Sequence, residues 1–82
     1  MKLNIFSTTR VLEYDISYLE VDTSVGNFVI LEGHAPLLLL LSSGKPIIFC
    51  KKDSTETFEQ LIPAHGGILK VTRWQATIIM NE

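Results

Sequence analysis

Turn-forming residues recur along this sequence at short intervals, and that spacing constrains the fold more than any other feature. Clusters stand at Ser7-Thr8-Thr9, Asp22 to Asn27, Glu32-Gly33, Ser42 to Pro46, Lys52 to Thr55, Pro63 to Gly67 and Arg73 to Gln75. Glycine, proline, asparagine, aspartate and serine each favour turn geometry for a local reason, so these clusters act as punctuation. The stretches between them are four to twelve residues long and rich in Val, Ile, Phe, Tyr, Thr and Leu. Short β-prone runs at such spacing predict an all-β sandwich or barrel.

Individual runs differ in how firmly they read. Pro46 to Lys51 and Thr57 to Ile62 flank a polar turn and predict a hairpin. Ile68 to Arg73 and Ala76 to Met80 predict a second, joined tightly at Trp74-Gln75. Arg10 to Asp22 is ambiguous: Leu12, Ile16 and Leu19 suit a helix face, whereas Leu12, Tyr14, Ile16 and Tyr18 alternate as in a strand. The apolar set then switches parity to Leu19 and Val21, which predicts a long strand kinked near Tyr18-Leu19. Pro36 to Leu41 is apolar at every position, the pattern of a strand buried on both faces, although a buried helix would give the same pattern.

With 82 residues the chain has room for one domain and one core. Cys50 is the sole cysteine, so no internal disulfide can form, and no Cys/His spacing suits structural zinc. A small chain without such staples often leans on a partner to cover apolar surface. The net charge of −2, with both signs interspersed, lacks the electrostatic footprint of a nucleic-acid binder. Lys45, Lys51 and Lys52 read as a solvated strand edge rather than a phosphate site. The longest apolar run, Ala35 to Leu41, has seven residues, against the roughly 20 that a membrane-crossing helix needs. The residues from Met1 to Phe6 lack the features of a signal or transit peptide, and a lone cysteine fits a reducing cytoplasm.

The stretch Thr23-Ser24-Val25-Gly26-Asn27-Phe28-Val29-Ile30-Leu31-Glu32-Gly33-His34-Ala35-Pro36-Leu37-Leu38 resembles the signature of the epsilon subunit of F-type ATP synthases. Leu41 and Gly44 continue that spacing. Gly66-Gly67-Ile68-Leu69-Lys70-Val71 followed by Ala76-Thr77-Ile78-Ile79 is similar to the family's closing hairpin. The resemblance runs through the whole chain, with departures at Asp22, Asn27, Val29 and Glu32. The residue types also make physical sense: Gly26 and Gly33 suit turns of positive φ, Pro36 stiffens the corner entered through Ala35, and Gly66-Gly67 permits a sharp entry into the next strand.

The resemblance implies a flattened antiparallel β-sandwich of roughly eight to ten short strands. The family commonly continues into a C-terminal helical hairpin. This sequence ends at Glu82, so the expectation is the sandwich without the hairpin, as a naturally short or a truncated form. The implied role is that of a non-catalytic rotor subunit, which joins the gamma subunit to the membrane c-ring during proton- or sodium-driven ATP synthesis. It would be peripheral, on the cytoplasmic side of a bacterial inner membrane.

Carried over by position, the c-ring contact falls on Ser24, Val25, Gly26, Asn27, Phe28 and His34. Asn27 also reads as a plain turn residue, Phe28 as core, and His34 as a corner histidine bonded to nearby backbone. Leu38, Leu40, Ile48 and Phe58 are candidates for the gamma contact, although each reads first as an ordinary sandwich core residue. Gly33, Pro36, Gly66 and Gly67 read as structural. No catalytic, cofactor or metal residues are expected, because His34, His65, Cys50, Asp15 and Glu32 show no spacing that would converge on a nucleophile or metal. The alternative is a stand-alone sandwich that serves as a binding or adaptor module, for which exposure of Trp74 would mark a partner surface.

Overall fold

The computed structural model describes residues 1–53 and 58–80. Their β-prone runs form eight strands: β1 (Lys2–Phe6), β2 (Val11–Thr23), β3 (Gly26–Ile30), β4 (Leu37–Leu41), β5 (Ile47–Lys51), β6 (Phe58–Leu61), β7 (Gly67–Val71) and β8 (Gln75–Met80). Among the described residues there is no helix. Thr57, expected to start β6, and Ser54 and Thr55 of the preceding turn lie outside the described residues.

Hydrogen-bonded neighbours follow the order β4-β7-β8-β1-β2-β5-β6, with β3 added to β2. The long β2 belongs to both layers of the sandwich. Its first half pairs with β1, and its second half pairs with β3 and β5. The first layer is therefore β4-β7-β8-β1 with the start of β2; the second is β3, the end of β2, β5 and β6. The shortest dimension of the molecule, 19 Å, fits two sheets stacked about 10 Å apart with their outer side chains. Pairing is antiparallel throughout, except that β1 runs parallel to β8.

The crossing of β2 between layers depends on one extra residue. Ile16 pairs with Lys51 and Tyr18 with Cys50, so Ser17 is a bulge opposite a single step of β5. Leu12, Tyr14 and Ile16 face the core before it, and Leu19, Val21 and Thr23 after it. The break thus falls between Ile16 and Tyr18, slightly ahead of the expected Tyr18-Leu19. Tyr18 belongs to the outward set, although its spacing from Ile16 matched the inward one.

Alternation elsewhere is regular. Leu3 and Ile5, Leu39 and Leu41, Leu69 and Val71, and Ala76, Ile78 and Met80 line the core from the first layer; Ile30, Ile47 and Phe49 close it from the second. The leucine strand is a correction. Among the described residues no second layer covers the outer face of the first sheet, so Leu38 and Leu40 of β4 are exposed, as are Ile68 and Ile79 of the neighbouring strands. A continuous apolar run does not distinguish a doubly buried strand from one with a sticky outer face. Lys51 is also not at an edge: it lies in β5 between β2 and β6, paired with Glu59 at 3.1 Å.

The second hairpin turns at Arg73-Trp74, one residue earlier than expected, and Thr72 N donates to Gln75 O at 2.8 Å. Gly66 has φ of 75°, the left-handed region that favours glycine. At Gly67 the constraint is closeness of approach, because a Cβ there would lie 2.3 Å from the carbonyl oxygen of Ile79 on β8.

Candidate partner-binding surfaces

Strand register turns the outward positions of the first layer into an ordered surface. Leu40 pairs with Ile68, Ile68 with Ile79, Ile79 with Phe6, and Phe6 with Val11. Five apolar side chains therefore form one row across five strands. They are between 40% and 75% exposed, as much as polar surface residues would be. The next row, Leu38, Lys70, Thr77, Asn4 and Glu13, is polar after its first member. A single exposed leucine needs no explanation, but a contiguous apolar stripe with a polar border has the anatomy of an interface. Phe6, Val11, Ile68 and Ile79 were missed by the sequence reading. The signal was present in Ile5-Phe6, Ile68-Leu69 and Ile78-Ile79, since two adjacent apolar residues in a strand must point to opposite faces.

The four residues read as gamma contacts separate into two pairs. Leu38 and Leu40 project from the first layer. Ile48 and Phe58 project from the second, where they line a groove with Tyr18, Glu20, Glu59 and Gln60. No single flat partner covers both pairs.

The residues read as c-ring contacts are arranged along β3. Ser24-Val25 forms the tip of the β2–β3 hairpin, where Thr23 Oγ1 accepts from Val25 N at 3.2 Å and donates to Gly26 O at 2.9 Å. Gly26 follows with φ of 135°. Val25 is 77% exposed at the tip. Asn27 is exposed, and its amide donates to Glu20 Oε2 at 3.0 Å, so it does more than turn the chain. Phe28 is half-buried against the core. His34 lies beyond the other end of β3, in the corner four residues past Ile30. Its Nδ1 is 2.7 Å from Ala35 O, the local backbone bond that one of its readings anticipated. The outward side chains of Val29 and Leu31, both exposed, bridge tip and corner into a strip.

Beside that corner, Gly33 N donates to Arg73 O and Lys2 N to Trp74 O. The Met1 amino group donates to Asp15 Oδ1, Ile16 O and Glu32 Oε1 at 3.1–3.3 Å, tying β1, β2 and the corner together. Pro36 follows the corner and leads into β4; Gly33 there has φ of 83°. Trp74 is 67% exposed, with the Arg73 guanidinium 5.9 Å from its ring.

One polar arrangement on the second layer has no counterpart in the sequence pattern. The Tyr18 hydroxyl donates to Glu20 Oε1 at 2.5 Å. That bond, helped by burial and the nearby charge, lifts the phenol above its usual range. The same bond, followed by the one from Asn27, holds the Glu20 carboxyl below its usual range.

Among the described residues no group of three or more His, Cys, Asp or Glu side chains could hold a metal. Cys50 is buried in β5, and His65 is exposed in the turn before β7. None of these surfaces converges a nucleophile, a base and an orienting group on one point; all are suited to contact.

The comparisons agree with that character. The family described as "ATP synthase, Delta/Epsilon chain, beta-sandwich domain" matches residues 1–82. A chain of the Tetrahymena thermophila mitochondrial ATP synthase central stalk and c-ring superimposes with a TM-score of 0.81 at 14% identity, over 100% of this chain and 63% of that one. A chain of the Euglena gracilis mitochondrial ATP synthase, in a structure of OSCP, F1 and c-ring, gives 0.82 at 16% identity, over 95% of this chain and 48% of that one. At such identities the likeness establishes the fold, and the chain spans between about half and two thirds of either neighbour's length. No curated protein sequence matches significantly.

Proposed function

The chain belongs to the ATP synthase delta/epsilon chain β-sandwich family, which matches all of it, and on that premise we propose that it is a non-catalytic rotor subunit in the central stalk of an F-type ATP synthase. The observation that carries this reading furthest is the apolar row Leu40, Ile68, Ile79, Phe6 and Val11. It is the face that docks on the gamma subunit. The strip from Val25 through Asn27, Val29 and Leu31 to His34 meets the polar loops of the c-ring.

The work is mechanical. Ion flow turns the ring, and torque passes through a body that must not shear between its two contacts. Two hydrogen-bonded layers sharing the continuous strand β2 supply that stiffness, since sliding one layer over the other would break the pairings of β2 with both β1 and β5. Among the described residues no helix is long and apolar enough to cross a membrane. The subunit is held peripherally, through the complex, on the cytoplasmic side of a bacterial inner membrane.

Reconstitution tests the role. Membranes carrying the cognate synthase but stripped of this subunit should regain ATP-driven ion pumping when the purified chain is added. Val25→Asp with Val29→Asp should restore less pumping at equal occupancy. If the wild-type chain binds the stripped complex and pumping stays uncoupled, the coupling role is wrong.

A further inference from the structure

The groove on the outer face of the second layer lies apart from the apolar row and borders the strip along β3, where Val29 pairs with Glu20 and the Asn27 amide bonds it. It has a volume of about 380 Å³ and is lined by Tyr18, Glu20, Ile48, Phe58, Glu59 and Gln60. That volume falls at the small end of ordinary ligand sites. Ile48 pairs with Glu20 on one side and Gln60 on the other, so it forms the floor. The ring of Phe58 stands edge to face with Tyr18, centroids 5.5 Å apart, and remains 57% exposed. An aromatic wall, an aliphatic floor and a carboxylate thus meet in one concavity.

The carboxylate is unusual in how it is held. Both oxygens of Glu20 accept bonds, one from the Tyr18 hydroxyl and one from the Asn27 amide, and both donors are neutral. The charge is therefore positioned without being cancelled. The lysines paired with carboxylates elsewhere are Lys2 with Glu13, Lys45 with Asp22 and Lys51 with Glu59. Among the described residues none pairs with Glu20. A carboxylate has about four acceptor positions, so about two remain, the number a bidentate guanidinium uses. Its side chain is already fixed, so little rotamer entropy is lost on binding.

We infer that this groove binds an arginine side chain presented by a protein partner, with the guanidinium paired to Glu20 and stacked on Phe58. Arginine suits the site better than lysine. Its planar group can pair in the plane of the carboxylate while lying against the aromatic ring, whereas an ammonium is a compact, strongly hydrated charge. The net charge of −2 favours the approach of a cationic segment. The inference does not depend on the rotor assignment, because the groove's chemistry would be the same in an adaptor.

The test is an NMR titration of the whole chain with acetyl-Gly-Arg-Gly-amide, alongside the same peptide carrying citrulline or lysine. The expected result is saturable perturbation of the Tyr18, Ile48 and Phe58 signals by the arginine peptide, with affinity on the order of millimolar. Lysine should bind several-fold more weakly, and citrulline should give no saturation. Glu20→Gln, which keeps the side chain's shape and one of its two acceptor oxygens but removes the charge, should weaken arginine binding about tenfold through loss of the charge-assisted pair. Phe58→Leu tests the stacking wall independently should the first variant fold poorly. Equal response to citrulline, perturbation away from the groove, or no response at saturating peptide would each overturn the inference.

Discussion

Replacing Gly67 by alanine probes the closest approach between strands in the first layer. Gly67 pairs with Leu41 on one side and Met80 on the other, so its backbone is fixed from both edges. An added Cβ would stand 2.3 Å from Ile79 O and 3.1 Å from Met80 Cα, both backbone atoms. A tolerable carbon–oxygen contact needs roughly 1 Å more, and that separation stretches the ladder between β7 and β8. Overpacking of this kind costs about 1–3 kcal/mol. Alanine returns about 0.4–1 kcal/mol by restricting the unfolded chain. The balance is a net loss of about 1–2 kcal/mol. An unfolding entropy of about 2.1 cal/mol/K per residue makes each kcal/mol worth roughly 6 °C in a chain of this length, so Tm should fall by about 6–12 °C. Thermal unfolding followed by far-UV circular dichroism reads this directly. Gly67 has no positive φ to confuse the interpretation. An unchanged or raised Tm would refute both the tight approach and the β7–β8 register behind it.

Two further outcomes follow from the burial pattern and the polar pair. Ile16→Ala, at a fully buried position beside the β2 bulge, should cost about 2–5 kcal/mol in urea unfolding. Leu38→Ala, on the exposed face of β4, should stay within about 0.5 kcal/mol; similar losses at both would contradict the one-sided burial of β4. The Tyr18–Glu20 bond should give stability a pH window. The folded Glu20 carboxyl lies below its usual value, so its contribution is present above the unfolded carboxylate pKa and is lost as pH falls through the folded one. The Tyr18 phenol is raised, so its contribution is present below the unfolded phenol pKa and fades as pH climbs through the folded one. The Tm difference between wild type and Tyr18→Phe should therefore be widest near neutral pH and vanish in acid; a constant difference would refute the assignment.

How much could be read in advance depended on whether the information was local. Turns were legible because glycine, proline and aspartate impose their own geometry, so Gly26, Gly33 and Gly66 all take positive φ where turns were expected. Both later hairpins were legible for the same reason. The parallel pairing of β1 with β8 was not, since it joins residues more than seventy positions apart in the chain. The exact site of the β2 bulge was lost because Tyr18 satisfies either parity as an amphipathic side chain. The leucines of β4 could not reveal that only one face of their strand would be covered, because that is set by where the second layer packs. The contact sets depend on faces that only the assembled sheets define. Similarity of motif offered Ser24 to Phe28 and His34 as one set, of which Gly26 to Phe28 lie on β3, Ser24 and Val25 in the turn before it and His34 in the corner after it, while Leu38 and Leu40 went to one face and Ile48 and Phe58 to the other. Glu20, held by Tyr18 and Asn27, offered no signal at all until the register set the three side by side.

The central claim is that the apolar row of the first layer seats this chain on a gamma subunit, and its most direct measurement is association with the purified cognate gamma subunit. Wild-type chain should form a one-to-one complex that survives size-exclusion chromatography. Ile79→Asp, at the middle of the row and exposed in the isolated chain, should weaken that complex at least about tenfold, as loss of a central apolar contact does, while its own Tm stays near that of the wild type. Failure of the wild-type chain to bind where an ordinary epsilon subunit binds, or undiminished binding by Ile79→Asp, would contradict the account.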